Sequence, residues 1–124
     1  MAPGRGKRGK KDREVKKLAE CRLEQSGTVL AVYLSGEIDH HAAGRLREQI
    51  DARILAASPE RVVLDFGGVG FMDSSGIGLI LGRYRLLQDT GGVLAVQGVS
   101  AQIAKMLRLS GIGSIITLEG SANV

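Results

Sequence analysis

The sequence predicts an α/β domain with a mostly parallel central sheet entered through a β-hairpin, in the order β-β-α-β-α-β-α-β. Three observations carry that expectation. Apolar residues switch repeatedly between the period of two of a strand and the three-to-four spacing of a helix. A Gln25-Ser26-Gly27 turn separates the first two β-rich runs. The later strands are short unbroken apolar runs, the form taken by strands buried in a parallel sheet.

The elements follow in order. Ala19, Cys21 and Leu23 share one face of a first short strand. Residues 28–35 (TVLAVYLS) place Val29, Ala31 and Tyr33 opposite Leu30, Val32 and Leu34, so a central strand covered on both sides is expected, with Gly36 ending it. Asp39 is positioned to cap a helix in which Ala43, Leu46, Ile50, Ile54 and Ala57 recur at helical spacing, and Ser58-Pro59 stops it. Residues 61–66 (RVVLDF) read as a buried strand, followed by the glycine-rich stretch 67–70. A second helix starts near Ser74, with a stripe of Ile77, Ile80, Leu81, Tyr84 and Leu87, and Gly91-Gly92 closes it. Val93–Gln97 (VLAVQ) is a further buried strand. Ser100 is placed to cap a third helix with Ile103, Met106 and Leu107 inward and Gly111 at its left-handed C-terminal position. Residues 114–118 (SIITL) form the last strand, and no internal repeat is visible.

Size and composition narrow the functional classes. The chain has 124 residues, enough for one domain, and 44% of them are hydrophobic. Aromatics make up 3% and tryptophan is absent, so Val, Ile, Leu and Ala must build the core. No apolar run approaches the roughly 20 residues that cross a bilayer. The N-terminus is basic and lacks the apolar segment of a secretory signal. Cys21 is the sole cysteine, which excludes an intramolecular disulfide and any multi-cysteine metal site. A cytoplasmic protein with no membrane role is expected.

The formal charge of +4 is unevenly spread. Residues 1–17 hold eight basic and two acidic side chains, a balance of +6, so the other 107 residues carry −2. The expected division is a disordered basic arm over 1–17 and a folded domain over 18–124. A basic arm can meet nucleic acid through phosphates, but this one has no aromatic residue to stack on a base and no DNA-reading module follows it. A solvated tail is the reading preferred, with no direct DNA binding.

Catalytic motifs are missing. There is no G-x-x-x-x-G-K-[ST] phosphate loop, and the glycines of GGVGFMDSSGIG fit G-x-G-x-x-G in neither register. Neither Ser74 nor Ser75 has a glycine two residues before it, as a hydrolase nucleophile elbow requires. His40 and His41 are adjacent, so on a helix they point about 100° apart and cannot share a metal as an i, i+4 pair would. No catalytic residue, metal or cofactor is expected.

The informative stretch is 64–84, LDFGGVGFMDSSGIGLILGRY. Each glycine inside a helix costs about 1 kcal/mol relative to alanine. Gly78 and Gly82, four apart and off the apolar stripe, therefore call for a reason. One is close packing against a neighbouring helix of the same domain; the other is a ledge free of side chains where a partner's backbone approaches. Asp73-Ser74-Ser75-Gly76 stands where the loop turns into the helix. Ser74 or Ser75 is either a plain N-cap, worth about 1 kcal/mol, or a phosphorylatable serine. A phosphoserine adds roughly −1.5 to −2 charges beside Asp73, enough to spoil a partner interface without unfolding the domain.

Two separated segments, GEIDHH (36–41) and FMDSSGIGLILGRY (71–84), resemble the anti-sigma factor antagonists with the STAS fold, nearest their sporulation type. The similarity runs from about Leu18 to Leu118 and includes the element order. It implies a STAS-like fold and a domain that binds an anti-sigma factor which is also a serine kinase, so that the sigma factor is released. It further implies that this kinase phosphorylates Ser74 with ATP, inactivating the antagonist, and that a metal-dependent PP2C-type phosphatase restores it. Asp39 matches an acidic position of the family's partner-binding loop, and 36–41 are expected to flank Ser74 at one end of the sheet. The partner-binding set implied is Asp39, His40, Asp73, Ser75, Gly76, Gly78 and Gly82. Two departures from the family pattern are the basic arm and a small polar tail where a C-terminal helix is usual.

Other classes make different demands. A STAS interaction module of another signalling or stress-response complex fits the same residues and would be told apart by its partner. A small nucleotide-binding enzyme would need turnover dependent on Asp73 or His40, with no visible catalytic pair. Nucleic-acid binding through the arm would show steep salt dependence and vanish on deleting 1–17.

Overall fold

The computed structural model describes residues 17–119. The expectations for the basic arm up to residue 16, and for the tail from residue 120, lie outside the described residues. Five strands form one sheet in sequential order. They are β1 (Glu20–Ser26), β2 (Val29–Ile38), β3 (Arg61–Met72), β4 (Val93–Gln97) and β5 (Thr117–Glu119). Among the described residues three α-helices connect them: α1 (His40–Ala57), α2 (Ser74–Thr90) and α3 (Ala101–Ser110), the last followed by a 3-10 turn over Ile112–Ser114. β1 and β2 pair antiparallel through the Gly27 turn, and every later pairing is parallel. The α/β fold with a mostly parallel sheet and an initial hairpin is therefore the observed one.

One apolar layer lies between the sheet and the helices. Leu30, Val32 and Leu34 of β2, Val62, Leu64 and Phe66 of β3, and Leu94 and Val96 of β4 are buried, with Leu46, Ile50 and Ile54 of α1 and Ile80 and Leu87 of α2 in the same cluster. The expectation that β2 is covered on both faces needs correction. Val29, Ala31, Tyr33 and Ser35 are only half-buried, and the Arg22 guanidinium stacks over the Tyr33 ring at 4.4 Å. An apolar run signals burial but does not say how deeply each face is buried.

Other boundaries move for identifiable reasons. Gly36 does not end β2; the strand passes through it with φ 87° and continues to Ile38, with register irregularities against β3 on either side. A Cβ at Gly36 would collide with the backbone of Leu18 and Ala19, which cross it closely. β3 likewise runs through the glycines to Met72, because β2 remains its partner as far as Ile38. In α1 the buried alanine is Ala42 rather than Ala43, and Ala57 is exposed. In α2 the buried face is Gly76, Leu79, Ile80, Arg83 and Leu87, rotated from the expected stripe, so Ile77, Leu81 and Tyr84 stand at its margin. In α3, Ala104 joins Ile103 and Leu107 in the core while Met106 is half-buried. The last strand starts later than expected, because Gly111 at φ 81° leads into the 3-10 turn, where the Ser114 amide donates to the Gly111 carbonyl at 3.1 Å.

Candidate functional site

The site is assembled at the end of the sheet where β2 and β3 deliver their chains to α1 and α2. The Asp73 amide donates to the Ile38 carbonyl at 3.1 Å, tying the two strand exits together. Each helix then opens on an aspartate. Asp39 Oδ1 accepts from the Ala42 amide at 2.9 Å, and Asp73 Oδ1 accepts from the Ser75 amide at 2.8 Å. Both caps satisfy amides that the first helical turn leaves unpaired.

The expectation that Ser74 or Ser75 serves as the N-cap is thus corrected: Asp73 is the cap, and Ser74 is the first helical residue. Ser74 is exposed, and its hydroxyl makes no hydrogen bond among the described residues. Ser75 is half-buried and faces a cleft between α1 and α2. His40 and His41 are exposed on the first turn of α1 and line that cleft from the other side, their rings edge-on at 5.4 Å. So the fold brings 36–41 and the Asp73-Ser74-Ser75 segment to one end of the sheet, as the sequence suggested.

The glycines divide into two kinds. Gly76 is buried, and a Cβ there would run into the Met72 side chain, so its bareness serves internal packing. A buried residue offers a partner no surface, which sets Gly76 apart from the rest of the expected partner-binding set. Gly78 and Gly82 are different: a Cβ at either would meet no atom within 4 Å. Close packing against a neighbouring helix is therefore not their reason. Gly44 on α1, which sequence reasoning passed over, has the same open surroundings and lines the same cleft. Its signal was available, since it too is a glycine in a helix interior.

The cleft measures about 760 Å³. Arg83 forms part of its wall and is only 4% exposed. Its Nε lies 2.7 Å from Asp51 Oδ1, and its Nη1 donates to the Leu79 carbonyl at 3.3 Å. Burial pulls the guanidinium below its ordinary pKa, and Asp51 opposes that shift. This ion pair joins α1 to α2. Phe71, near the end of β3 and three residues before Ser74, is 46% exposed, a second feature not singled out in the sequence. Among the described residues no three His, Cys, Asp or Glu side chains gather as metal ligands would, and no helix is long and apolar enough to cross a membrane.

Comparisons with known proteins agree with this geometry. Residues 20–123 match the STAS domain model. The chain is 40% identical over 99 residues to an anti-sigma F factor antagonist of Paenibacillus polymyxa, covering 80% of this chain and 85% of that one. Its fold resembles the anti-sigma factor antagonist SpoIIAA in its unphosphorylated form, with TM-score 0.71 and 30% identity over 84% of this chain and 91% of the other. It also resembles the Bacillus cell fate determinant SpoIIAA in the phosphorylated form, with TM-score 0.65 and 30% identity, covering 84% and 95% of the two chains. With the family model spanning most of its length, and with the strand order and helix caps described above, this chain belongs to the STAS domain family.

Proposed function

We propose that this protein is an anti-sigma factor antagonist of the sporulation type, a cytoplasmic and non-enzymatic switch. In its unphosphorylated form it binds an anti-sigma factor and displaces the sigma factor. That anti-sigma factor is also a serine kinase, which modifies Ser74, and a PP2C-type phosphatase reverses the modification. The observation that carries the reading is the freedom of the Ser74 hydroxyl: Asp73 holds the helix N-terminus, so Ser74 is exposed and structurally unused.

The chemistry suits the place. The Ser74 oxygen forms a bond to the γ-phosphorus of ATP as the bond to ADP breaks, and its proton passes to a base on the kinase. The phosphate then stands at the positive end of α2, where its charge is tolerated. It also stands next to Asp73 and close to the Asp39 cap, so the local surface turns strongly negative without any core contact changing. Asp39, His40, Asp73 and Ser75 lie at that end of the sheet, and Gly78 and Gly82 continue along α2 from it; together they form the proposed partner surface.

Intact-mass and phosphopeptide analysis after incubation with the anti-sigma kinase and ATP tests the proposal. One phosphate on Ser74 is expected, absent from Ser74→Ala, with Ser74→Asp binding the partner weakly. No phosphate, with the kinase shown active on another substrate, would overturn the switch. So would equal partner affinity for wild type and Ser74→Asp.

A further inference from the structure

We infer that the groove between α1 and α2 seats a carboxylate-bearing segment of the partner protein, held by Arg47 with His40 and His41 over a floor of Gly44, Gly78 and Gly82. This rests on the antagonist reading and adds to it the chemistry of the partner's surface.

The floor comes first. Three glycines on two helices give up helix propensity, and none of them makes room for another part of this domain, because a Cβ at each would point into open space. All three open into one groove. Gly78 and Gly82 are successive on one side of α2, so an incoming chain can approach that helix backbone more closely than any side chain would allow.

Charge then selects the occupant. Every ionisable side chain lining the groove is a histidine or an arginine, and no carboxylate faces it. Arg83 is already neutralised by Asp51 and belongs to the wall. Arg47 is exposed and makes no hydrogen bond or ion pair among the described residues. It lies near enough to Arg83 to disfavour that residue's charge, so an added carboxylate would relieve a repulsion as well as form a pair. Each helix begins at this end on an aspartate cap, Asp39 or Asp73, that meets its first amides, so the positive character of the groove comes from its own arginine and histidine side chains. The cap carboxylates Asp39 and Asp73 stand at the helix N-termini, outside the lining of the groove. An acidic segment of the partner therefore finds its electrostatic complement in the groove.

The test is a titration of the full, isotopically labelled chain with an anti-sigma F factor from the organism that encodes it, read by amide shifts and by calorimetry. Saturable shifts at Gly44, Gly78 and Gly82 are expected. Arg47→Glu should weaken binding at least about tenfold, while Arg108→Glu on α3 stays within about twofold of wild type. Binding with shifts confined to other surfaces, or undiminished in Arg47→Glu, overturns this inference and leaves the antagonist reading standing. If ATP alone or a second copy of the chain produces the same shifts, the groove belongs to that ligand and the inference falls. Absence of any binding by the wild type overturns the antagonist reading and this inference together.

Discussion

Asp73 caps α2 through the Ser75 amide at 2.8 Å, and the neighbouring Ser74 hydroxyl makes no hydrogen bond among the described residues. The cap and the proposed phosphorylation site are thus adjacent residues, so modification of Ser74 would leave the Asp73 cap in place. The arrangement predicts opposite outcomes for two single substitutions. Asp73→Ala should lose about 1 kcal/mol of stability, the usual worth of a cap. Ser74→Ala should stay within about 0.5 kcal/mol of wild type. Urea denaturation of both variants measures this, and a larger loss in Ser74→Ala would make the serine the cap after all.

Glycine to alanine should act with opposite signs at different positions. At Gly44, Gly78 and Gly82 the helix gains propensity and the new methyl meets nothing, so each variant should gain up to about 1 kcal/mol. At Gly36, where φ is 87° and the backbone of Leu18 and Ala19 presses close, the loss should be about 2 kcal/mol or more. Thermal denaturation of the four variants checks this. Destabilisation at Gly78 or Gly82 would return those residues to internal packing.

The ion pair between α1 and α2 gives a third expectation. Removing Asp51 leaves the buried Arg83 charge unpaired, and Asp51→Ala should cost about 3 kcal/mol. Replacing both partners, as Asp51→Leu with Arg83→Met, should recover most of that loss, since no charge then remains to be solvated. Equilibrium unfolding of the single and double variants decides it.

Cys21 makes a fourth. Burial raises its thiol pKa above the ordinary value, and nearby Arg45 offsets this only in part. Because the thiolate is the reactive form, a raised pKa means a smaller reactive fraction at neutral pH. Alkylation should be slower than for a free cysteine and should keep accelerating with pH beyond the ordinary thiol range. Rates of iodoacetamide labelling from neutral to alkaline pH provide the measurement, and labelling as fast as free cysteine would contradict it.

Sequence periodicity disclosed most of this fold because each element carries its own local signal. Val93–Gln97 is an apolar run between turns, Ser100 and Asp39 precede helical patterns, and Gly91 and Gly111 sit at left-handed C-caps. What escaped depends on non-local pairing. Gly36 and Gly67–Gly70 look like strand breakers, yet the β2–β3 ladder carries both chains onward to Ile38 and Met72. The proposed site was legible as two motifs, but not which residue caps α2, since aspartate and serine both suit that role. Arg47 and Gly44 were invisible as a pair with Gly78 and Gly82, because only the packing of α1 against α2 makes them neighbours.

The unequal lengths of β3 and β4 carry one more consequence. β4 pairs with β3 only over Arg61 to Asp65, while β3 extends to Met72 with β2 as its strand partner. The half of β3 that leads to Ser74 is therefore laddered on one side, and the half in the body of the sheet on both. Amide hydrogens over 66–72 should exchange with solvent sooner than those over 61–65, through a local opening that leaves the sheet intact. The end of the molecule that carries Ser74 can loosen while the body of the sheet stays folded.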